Sequence, residues 1–359
     1  MPDTIGDVFV TAAPDRLQQR LLLARRSFVT RRADLGEAVQ FAKASSPVAG
    51  DLLLARVERI GQHQALESPQ GRRQQMYEGD EIVVAFGNRY APDQFDAVVP
   101  DSLAPCDLVA GGGIAARVRA RHGRMKAATR IVPIGLLGDQ AGRVLNVSRF
   151  ALPVAQPGAA PVIVVVGTSM NAGKTTTAAG LIRGLSRAGL RVGATKITGT
   201  GSGGDLWSMR DAGARTAFDF TDAGFATTAG CELEQLVTAA KSLIAHAGTG
   251  NDIVIAEIAD GLLQTETHGL LKSADFARHV HGVVLAAGDA MGAVAAARWL
   301  HDHRLPLKLI SGCLTQSPLA MREAESVIGL PVATLEQLRD PLQAPELCLR
   351  AFEALDIVA

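Results

Sequence analysis

The sequence predicts an α/β protein: a C-terminal P-loop-type domain on a mainly parallel, doubly wound sheet, preceded by a smaller β-rich, barrel- or sandwich-like domain. Three observations predict it. The run Gly167-Thr-Ser-Met-Asn-Ala-Gly-Lys174-Thr-Thr176 follows a strand-like apolar stretch and opens a helical one. Downstream of it, strand and helix patterns alternate. Upstream, short strand patterns are separated by closely spaced turn clusters.

Taken in order, Leu35 to Lys43 has the pattern of a short helix. Leu52 to Ile60, Glu81 to Phe86 and Ala97 to Val99 read as strands, with turns at Gly71, Gly79-Asp80 and Gly87-Asn88. The Pro/Gly/Ala stretch Ala155 to Ala160 marks a domain boundary, giving domains over 1–154 and 161–359. Val162 to Val166 is a buried strand, and Lys174 to Ala188 a helix ended by Gly189. Strands follow at Arg191 to Ile197, Asp252 to Ile258, Val283 to Ala286, Leu307 to Ile310 and Pro331 to Ala333. Helices are expected over Glu232 to Ala247, Ala293 to His301, Leu319 to Ile328 and Glu346 to Leu355.

Composition narrows the function classes. The 359 residues are 47% hydrophobic, 20% charged and 4% aromatic, with Lys plus Arg and Asp plus Glu both at 36. A balanced charge leaves no overall footprint for nucleic acid or membrane, and few aromatics argue against a stacking platform for bases. The four cysteines are scattered without a CxxC pair, which suits a reducing compartment. The opening MPDTIGDVFV has no basic stretch before an apolar core, and no segment approaches the roughly 20 apolar residues of a membrane span. A soluble, cytoplasmic protein acting on a small molecule is the expectation.

The glycine-rich run is the strongest signal. Between strand and helix, its backbone N–H groups can wrap a β-phosphate while the helix adds its positive end. Gly167, Thr168, Ser169, Met170, Asn171, Ala172, Gly173, Lys174, Thr175 and Thr176 are therefore the candidate nucleotide-binding residues. Lys174 is placed to reach the β- and γ-phosphates, Thr175 to offer its hydroxyl to Mg²⁺, and Gly173 to let the backbone approach phosphate. The loop departs from the common GxxxxGK[ST] form: Thr168 holds the first glycine's place, and Gly167 lies one residue earlier.

This variant resembles the GTDTxVGKT loop of dethiobiotin synthetase, in the P-loop branch that also contains signal-recognition GTPases and MinD-like ATPases. The signature lysine of the MinD-like members is replaced here by Ser169. Lys196-Ile-Thr-Gly-Thr-Gly201 is similar to that family's Lys-Pro-x-x-x-Gly motif, with Ile197 in place of proline. A lysine at a strand end beside the loop can neutralise a transferring phosphoryl group or bind an acidic substrate. Val254-Ile-Ala-Glu257-Ile-Ala-Asp260-Gly-Leu262 looks like the family's VEGAGGL segment, so Glu257 is a candidate Mg²⁺ ligand at a strand end. Asp260 stands where the family has glycine; it is either a catalytic carboxylate or a turn residue.

The stretch Gly199 to Arg215 is expected to be a mobile glycine-rich loop. The resemblance implies a magnesium-binding or acceptor-activating aspartate here, a role open to Asp205 or Asp211, with helix capping the alternative for Asp205. Arg210 and Arg215 are candidate anion clamps. Gly288 to Gly292 is expected on the substrate side, and Ser311-Gly312-Cys313 where related enzymes read the base. No Asn-Lys-x-Asp sequence is present, which favours ATP over GTP. In the N-terminal half, Arg117, Arg119, Arg121, Arg124, Lys126 and Arg130 form a basic cluster: an anion-binding face or a solvated one. The loop Gly87 to Phe95 mixes polar and aromatic residues, and Gly111 to Gly113 either allows close backbone approach to a ligand or is a flexible turn.

The C-terminal domain is also similar to a P-loop family of largely unknown function, domain-of-unknown-function 1611, which includes a D-glutamate N-acetyltransferase. Three functions stay open at this point. The first is an ATP- and Mg²⁺-dependent, ligase- or kinase-like enzyme that phosphorylates a carboxylate or amine through Lys174, Lys196 and Asp260, with Thr175, Glu257 and Asp205 holding the metal. The second is N-acyl transfer from acetyl-CoA in the same loop. The third is a nucleotide-regulated protein that loads a metal or cofactor. Resemblance to dethiobiotin synthetase further implies a homodimer.

Overall fold

The computed structural model describes residues 14–44 and 46–353. In the C-terminal part the chain builds a six-stranded sheet in the spatial order Thr216–Asp219, Val192–Lys196, Ile253–Glu257, Val162–Gly167, Gly282–Ala286, Leu307–Ser311. Every neighbouring pair is parallel. The central strand, Val-Ile-Val-Val-Val-Gly, is buried at all six positions, as a parallel strand covered on both faces must be. Its side chains divide by parity. Val162, Val164 and Val166 pack with Ile244, Leu270, Phe276 and Leu300, whereas Ile163 and Val165 pack with Leu181, Leu185 and Leu338. Each such valine contributes about 1.5–3 kcal/mol by leaving water, so one charged substitution here would break the sheet's centre.

The N-terminal part is a barrel with extensions. Strands Leu52–Arg59, Glu81–Phe86, Ile114–Arg121, Cys106–Ala110 and Thr129–Gly138 lie side by side in that order around it. The ring closes because Thr129–Gly138 pairs with Leu52–Arg59 and Ile114–Arg121 pairs in parallel with Glu81–Phe86. Leu53, Val84, Phe86, Leu108 and Ile131 belong to one buried cluster of this barrel. The helix expected over Leu35 to Lys43 is not formed. Asp34 instead accepts from Gly36 N at 2.9 Å, giving a single 3₁₀ turn at Leu35–Glu37, and Gln40–Phe41 adds to the strand Thr129–Gly138. Pairing of Gln40–Phe41 with Thr129–Gly138 overrides the local helical pattern after that one turn.

Other boundaries differ from the expectation. Gly204–Asp211 is a helix rather than loop, and Thr216–Asp219 is an additional strand. Val332 makes an isolated bridge to Ile310 in place of a last strand. The terminal helix starts at Gln343; Ala354 and Leu355 lie outside the described residues. No helix among the described residues is long and apolar enough to cross a membrane.

The barrel sits against the C-terminal ends of the parallel strands. Arg31 pairs with Asp219 at 3.0 Å and Asp222 at 2.6 Å. Glu67 Oε2 accepts from Ser202 Oγ at 2.9 Å and Gly203 N at 2.8 Å. Gly112 lies so close to the other domain that a Cβ there would sit 2.0 Å from the Gly201 carbonyl oxygen. Gly112 thus serves the contact between domains, whereas Gly113 is pressed against Ser27 within the barrel.

Candidate functional site

The loop begins as the central strand ends. A Cβ on Gly167 would lie 2.8 Å from Cγ and Cδ of Lys174, so glycine here leaves room for the lysine to fold back over the strand end. Asn171 and Gly173 both take left-handed backbone, with φ of 64° and 100°. Glycine costs least in that region, and a Cβ on Gly173 would also press to 3.0 Å from Gly312 Cα. The helix Lys174–Arg187 then starts with its N-terminal turn at the loop. Lys174 is only 6% exposed and donates from Nζ to the Ser169 carbonyl at 2.8 Å. Burial holds its pKa below the ordinary lysine value, against the pull of Glu257 and Asp260.

The loop residues are braced from several sides. Thr168 N donates to the Ala286 carbonyl at 3.0 Å, the Ala172 carbonyl accepts from Cys313 N at 3.0 Å, and Asn171 Nδ2 donates to Asp93 Oδ2 of the N-terminal domain at 2.7 Å. Met170, Thr175 and Thr176 face the cavity described below.

Three oxygens converge next to Lys174. Thr175 Oγ1 lies 2.9 Å from Glu257 Oε1 and 3.1 Å from Asp205 Oδ1. One hydroxyl proton serves one of those carboxylates at a time, and Glu257 Oε2 is buried with no hydrogen-bond partner. Burial first, and the Asp205 carboxylate second, raise the Glu257 pKa to about 7, against Lys196 and Lys174. Among the described residues no three His, Cys, Asp or Glu side chains gather as a metal site. One hydroxyl and two carboxylates are the donor set that Mg²⁺ uses when phosphates supply the remaining ligands, and the orphaned Glu257 oxygen fits it.

Lys196, at the end of the strand next but one to the loop strand, is ion-paired with Asp205. Burial works against its ammonium, but Asp205, Glu257 and Asp260 outweigh burial and raise its pKa. Asp205 would likewise be raised by burial; Lys196, by charge and hydrogen bond, brings its pKa below the ordinary value. Asp205 lies in the first turn of Gly204–Asp211, so the helix found in place of the expected mobile loop is what delivers it.

Asp260 adopts φ 62°, a left-handed backbone that glycine takes freely and other residues seldom do. Its neighbour Gly261 is pressed against the loop, where a Cβ would lie 2.8 Å from the Thr168 carbonyl oxygen. Burial raises the Asp260 pKa, against Lys174, Lys196 and Arg89.

These groups form one wall of a cavity of about 860 Å³, and the barrel supplies the opposite wall. His63, Glu67, Arg89, Tyr90 and Gln94 line it, as does Gly111. The run Gly87 to Phe95 and the glycines Gly111 to Gly113 are the sequence signals that point there; His63 and Glu67 have none.

Other residues that the sequence offers as candidates fall elsewhere. Asp211 ends its helix away from the cavity. Arg210 lies over the Trp207 ring at 4.9 Å, and Arg215 donates to the Gly250 carbonyl at 3.3 Å, so neither clamps an anion at the site. Asp289 caps the helix Ala290–Asp302 by accepting from Gly292 N at 2.8 Å. Gly312 and Cys313, by contrast, close on the phosphate loop, and Cys313 lines the cavity. Arg117, Arg119 and Arg121 are exposed along a barrel strand, with Asp101 and Asp96 beside the first two; this is the solvated face.

No protein-family model matches the chain, and no curated protein matches it. Solved structures similar to it include the signal recognition particle 54 kDa protein from Aeropyrum pernix K1 in complex with GDP, at 21% identity over 57% of this chain and 49% of that one, with a TM-score of 0.35. A ParA family ATPase from Chlorobium tepidum TLS is 14% identical over 54% of this chain and 93% of that one, with a TM-score of 0.34. A domain-of-unknown-function 1611 family protein from Anabaena variabilis is 14% identical over 58% and 63%, with a TM-score of 0.37. The chain spans about half the length of the signal recognition particle protein. By its own geometry, a parallel sheet whose central strand runs through a glycine-rich loop into a helix, the C-terminal part has a P-loop NTPase-like α/β fold, preceded by a separate β-rich region.

Proposed function

We propose that this protein binds a nucleoside triphosphate with Mg²⁺ on the loop Gly167 to Thr176 and transfers its terminal phosphoryl group to a small molecule held between the two domains. The observation that carries this reading is the cavity itself. Lys174, Thr175, Lys196, Asp205, Glu257 and Asp260 face it from the parallel sheet, and the barrel encloses it from the other side. The reaction is ligase- or kinase-like, of the dethiobiotin synthetase type, with a carboxylate or amine as acceptor.

In this reading the loop N–H groups and Lys174 hold the β- and γ-phosphates. Thr175, Glu257 and Asp205 would hold Mg²⁺, which supplies charge neutralisation between the phosphates when bound. Lys196 stabilises negative charge on the transferring group. The acceptor oxygen or nitrogen forms a bond to the γ-phosphorus as the bond to the β–γ bridging oxygen breaks, and the nucleoside diphosphate leaves. An amine acceptor must also lose a proton, and Asp260, half-buried on the cavity wall with the lysines, is the group that takes it. Carboxylate acceptors need no such step. ATP is the preferred nucleotide, because the residues after Leu307–Ser311 close on the Ala172 carbonyl instead of forming a guanine-reading sequence.

Purified protein incubated with ATP, GTP or acetyl-CoA across a panel of amino acids and carboxylic acids tests this. Acceptor-dependent release of ADP is expected. Free thiol from acetyl-CoA with no ADP would replace phosphoryl transfer by acyl transfer, and no turnover together with no thermal stabilisation by any nucleotide would remove the reading.

A further inference from the structure

Two arginines stand at the junction of the domains, Arg89 buried and Arg31 half-buried, and they are treated differently by the fold. Arg31 is ion-paired: Asp219, Asp222 and Thr221 all accept from its guanidinium. Arg89 is 7% exposed, yet its Nη2 donates to the neutral Gln94 Oε1 at 2.7 Å, and its Nε is buried without any partner. Among the described residues it makes no ion pair. Asp260 and Asp93 act on it only through space, and burial pushes its pKa down to about 10. A buried charge left without a hydrogen-bonded counterion costs several kcal/mol. Folds tolerate that where a ligand supplies the counterion, and Arg89 lies on the cavity wall that faces the phosphate loop.

The neighbours fix the kind of anion. His63, beside Arg89, is neutral: burial and the Arg89 charge lower its pKa to about 4, and its Nε2 lies 3.0 Å from the Val109 carbonyl, where it donates. His63 therefore adds no second positive charge. Asp260 and Asp93 add negative charge nearby. One guanidinium among two carboxylates suits a singly charged planar carboxylate better than a doubly charged phosphate. The lysines that serve phosphate are on the opposite wall.

We infer that Arg89, positioned by Gln94, is the specificity-determining residue of an acceptor subsite that binds a carboxylate group of the small-molecule substrate. The inference rests on the reading of the cavity as a phosphoryl-transfer site only for the word acceptor; the anion subsite itself can be measured without nucleotide. The acceptor then carries a carboxylate at Arg89, with its reacting group directed at the loop.

Isothermal titration calorimetry on the full chain provides the test. The probes are succinate, glutarate, L-glutamate and inorganic phosphate, each with and without Mg²⁺ and a non-hydrolysable ATP analogue. At least one carboxylate is expected to bind, and phosphate at least tenfold more weakly. Arg89→Met is expected to weaken that carboxylate tenfold or more while the analogue's Kd stays within twofold and the melting temperature does not fall. Arg89→Lys, which keeps the charge but not the fork, is expected to fall between, and serves alone if the Met variant does not fold. The inference is overturned if no carboxylate binds, if Arg89→Met and Arg89→Lys bind carboxylates like the parent, if phosphate binds more tightly, or if the analogue is lost in parallel. Arg89-dependent carboxylate binding with no analogue binding would instead remove the proposed phosphoryl transfer and leave the subsite standing.

Discussion

The hydroxyl of Thr175 stands 2.9 Å from Oε1 of Glu257, tying the first turn of the loop helix to the end of the adjacent strand. The contact brings a buried carboxylate beside a buried lysine in a site with too few protein donors to satisfy it. Its energetic signature follows from the direction of the Glu257 shift. The pKa rises from 4.5 to about 7 on folding. Below pH 4.5 both folded and unfolded chains hold the proton. Between about 4.5 and 7 the folded chain keeps a proton that the unfolded chain releases, so stability falls as pH rises, by up to about 3 kcal/mol. Glu257→Gln does not titrate. In EDTA, its melting temperature is expected to gain on the parent's from pH 5 to pH 7.5; a gap independent of pH would contradict the assignment.

Asp260 holds φ 62° at the cavity wall, a conformation that costs a non-glycine residue roughly 1 kcal/mol. Asp260→Gly is therefore expected to leave the melting temperature unchanged or slightly higher. With an amine acceptor, turnover is expected to drop about 100-fold or more as the proton acceptor is lost. Unchanged turnover would mark Asp260 as a turn residue.

Arg31→Ala is expected to destabilise the protein by about 3 kcal/mol, because Asp219 would be left buried without a cation and Asp222 with only Arg32, at 3.6 Å. Chemical denaturation reads the loss, and Arg89→Met serves as the contrast, since its removal strands no ion pair. Equal losses from both would show that the two arginines play the same structural role.

Much of the C-terminal fold is legible in the sequence because its cues are local. A fully apolar strand, a glycine-rich turn and a lysine at its end announce themselves within one window, and the strand ends at Lys196 and Glu257 repeat that pattern. The structure places those two side chains and Thr175 and Asp205 in one cluster. The helix Gly204–Asp211 is obscured by the four glycines around it, and with it the reason Asp205 rather than Asp211 reaches the cluster. After Leu35–Glu37, pairing of Gln40–Phe41 with the distant strand Thr129–Gly138 stops an expected helix at one 3₁₀ turn, and no local pattern announces it. Arg89 and His63 cannot be read from spacing. They belong to different barrel segments, and only ring closure and docking against the sheet bring them opposite Lys174.

The most direct measurement is calorimetric titration of a Mg²⁺-bound, non-hydrolysable ATP analogue into the parent protein and Lys174→Ala, with circular dichroism to confirm that both are folded. Saturable one-site binding by the parent and at least a 100-fold weaker affinity in the variant are predicted, since Lys174 is the buried cation at the phosphate loop. Equal binding by the two proteins, or none by the parent, would contradict a nucleotide site at Gly167 to Thr176.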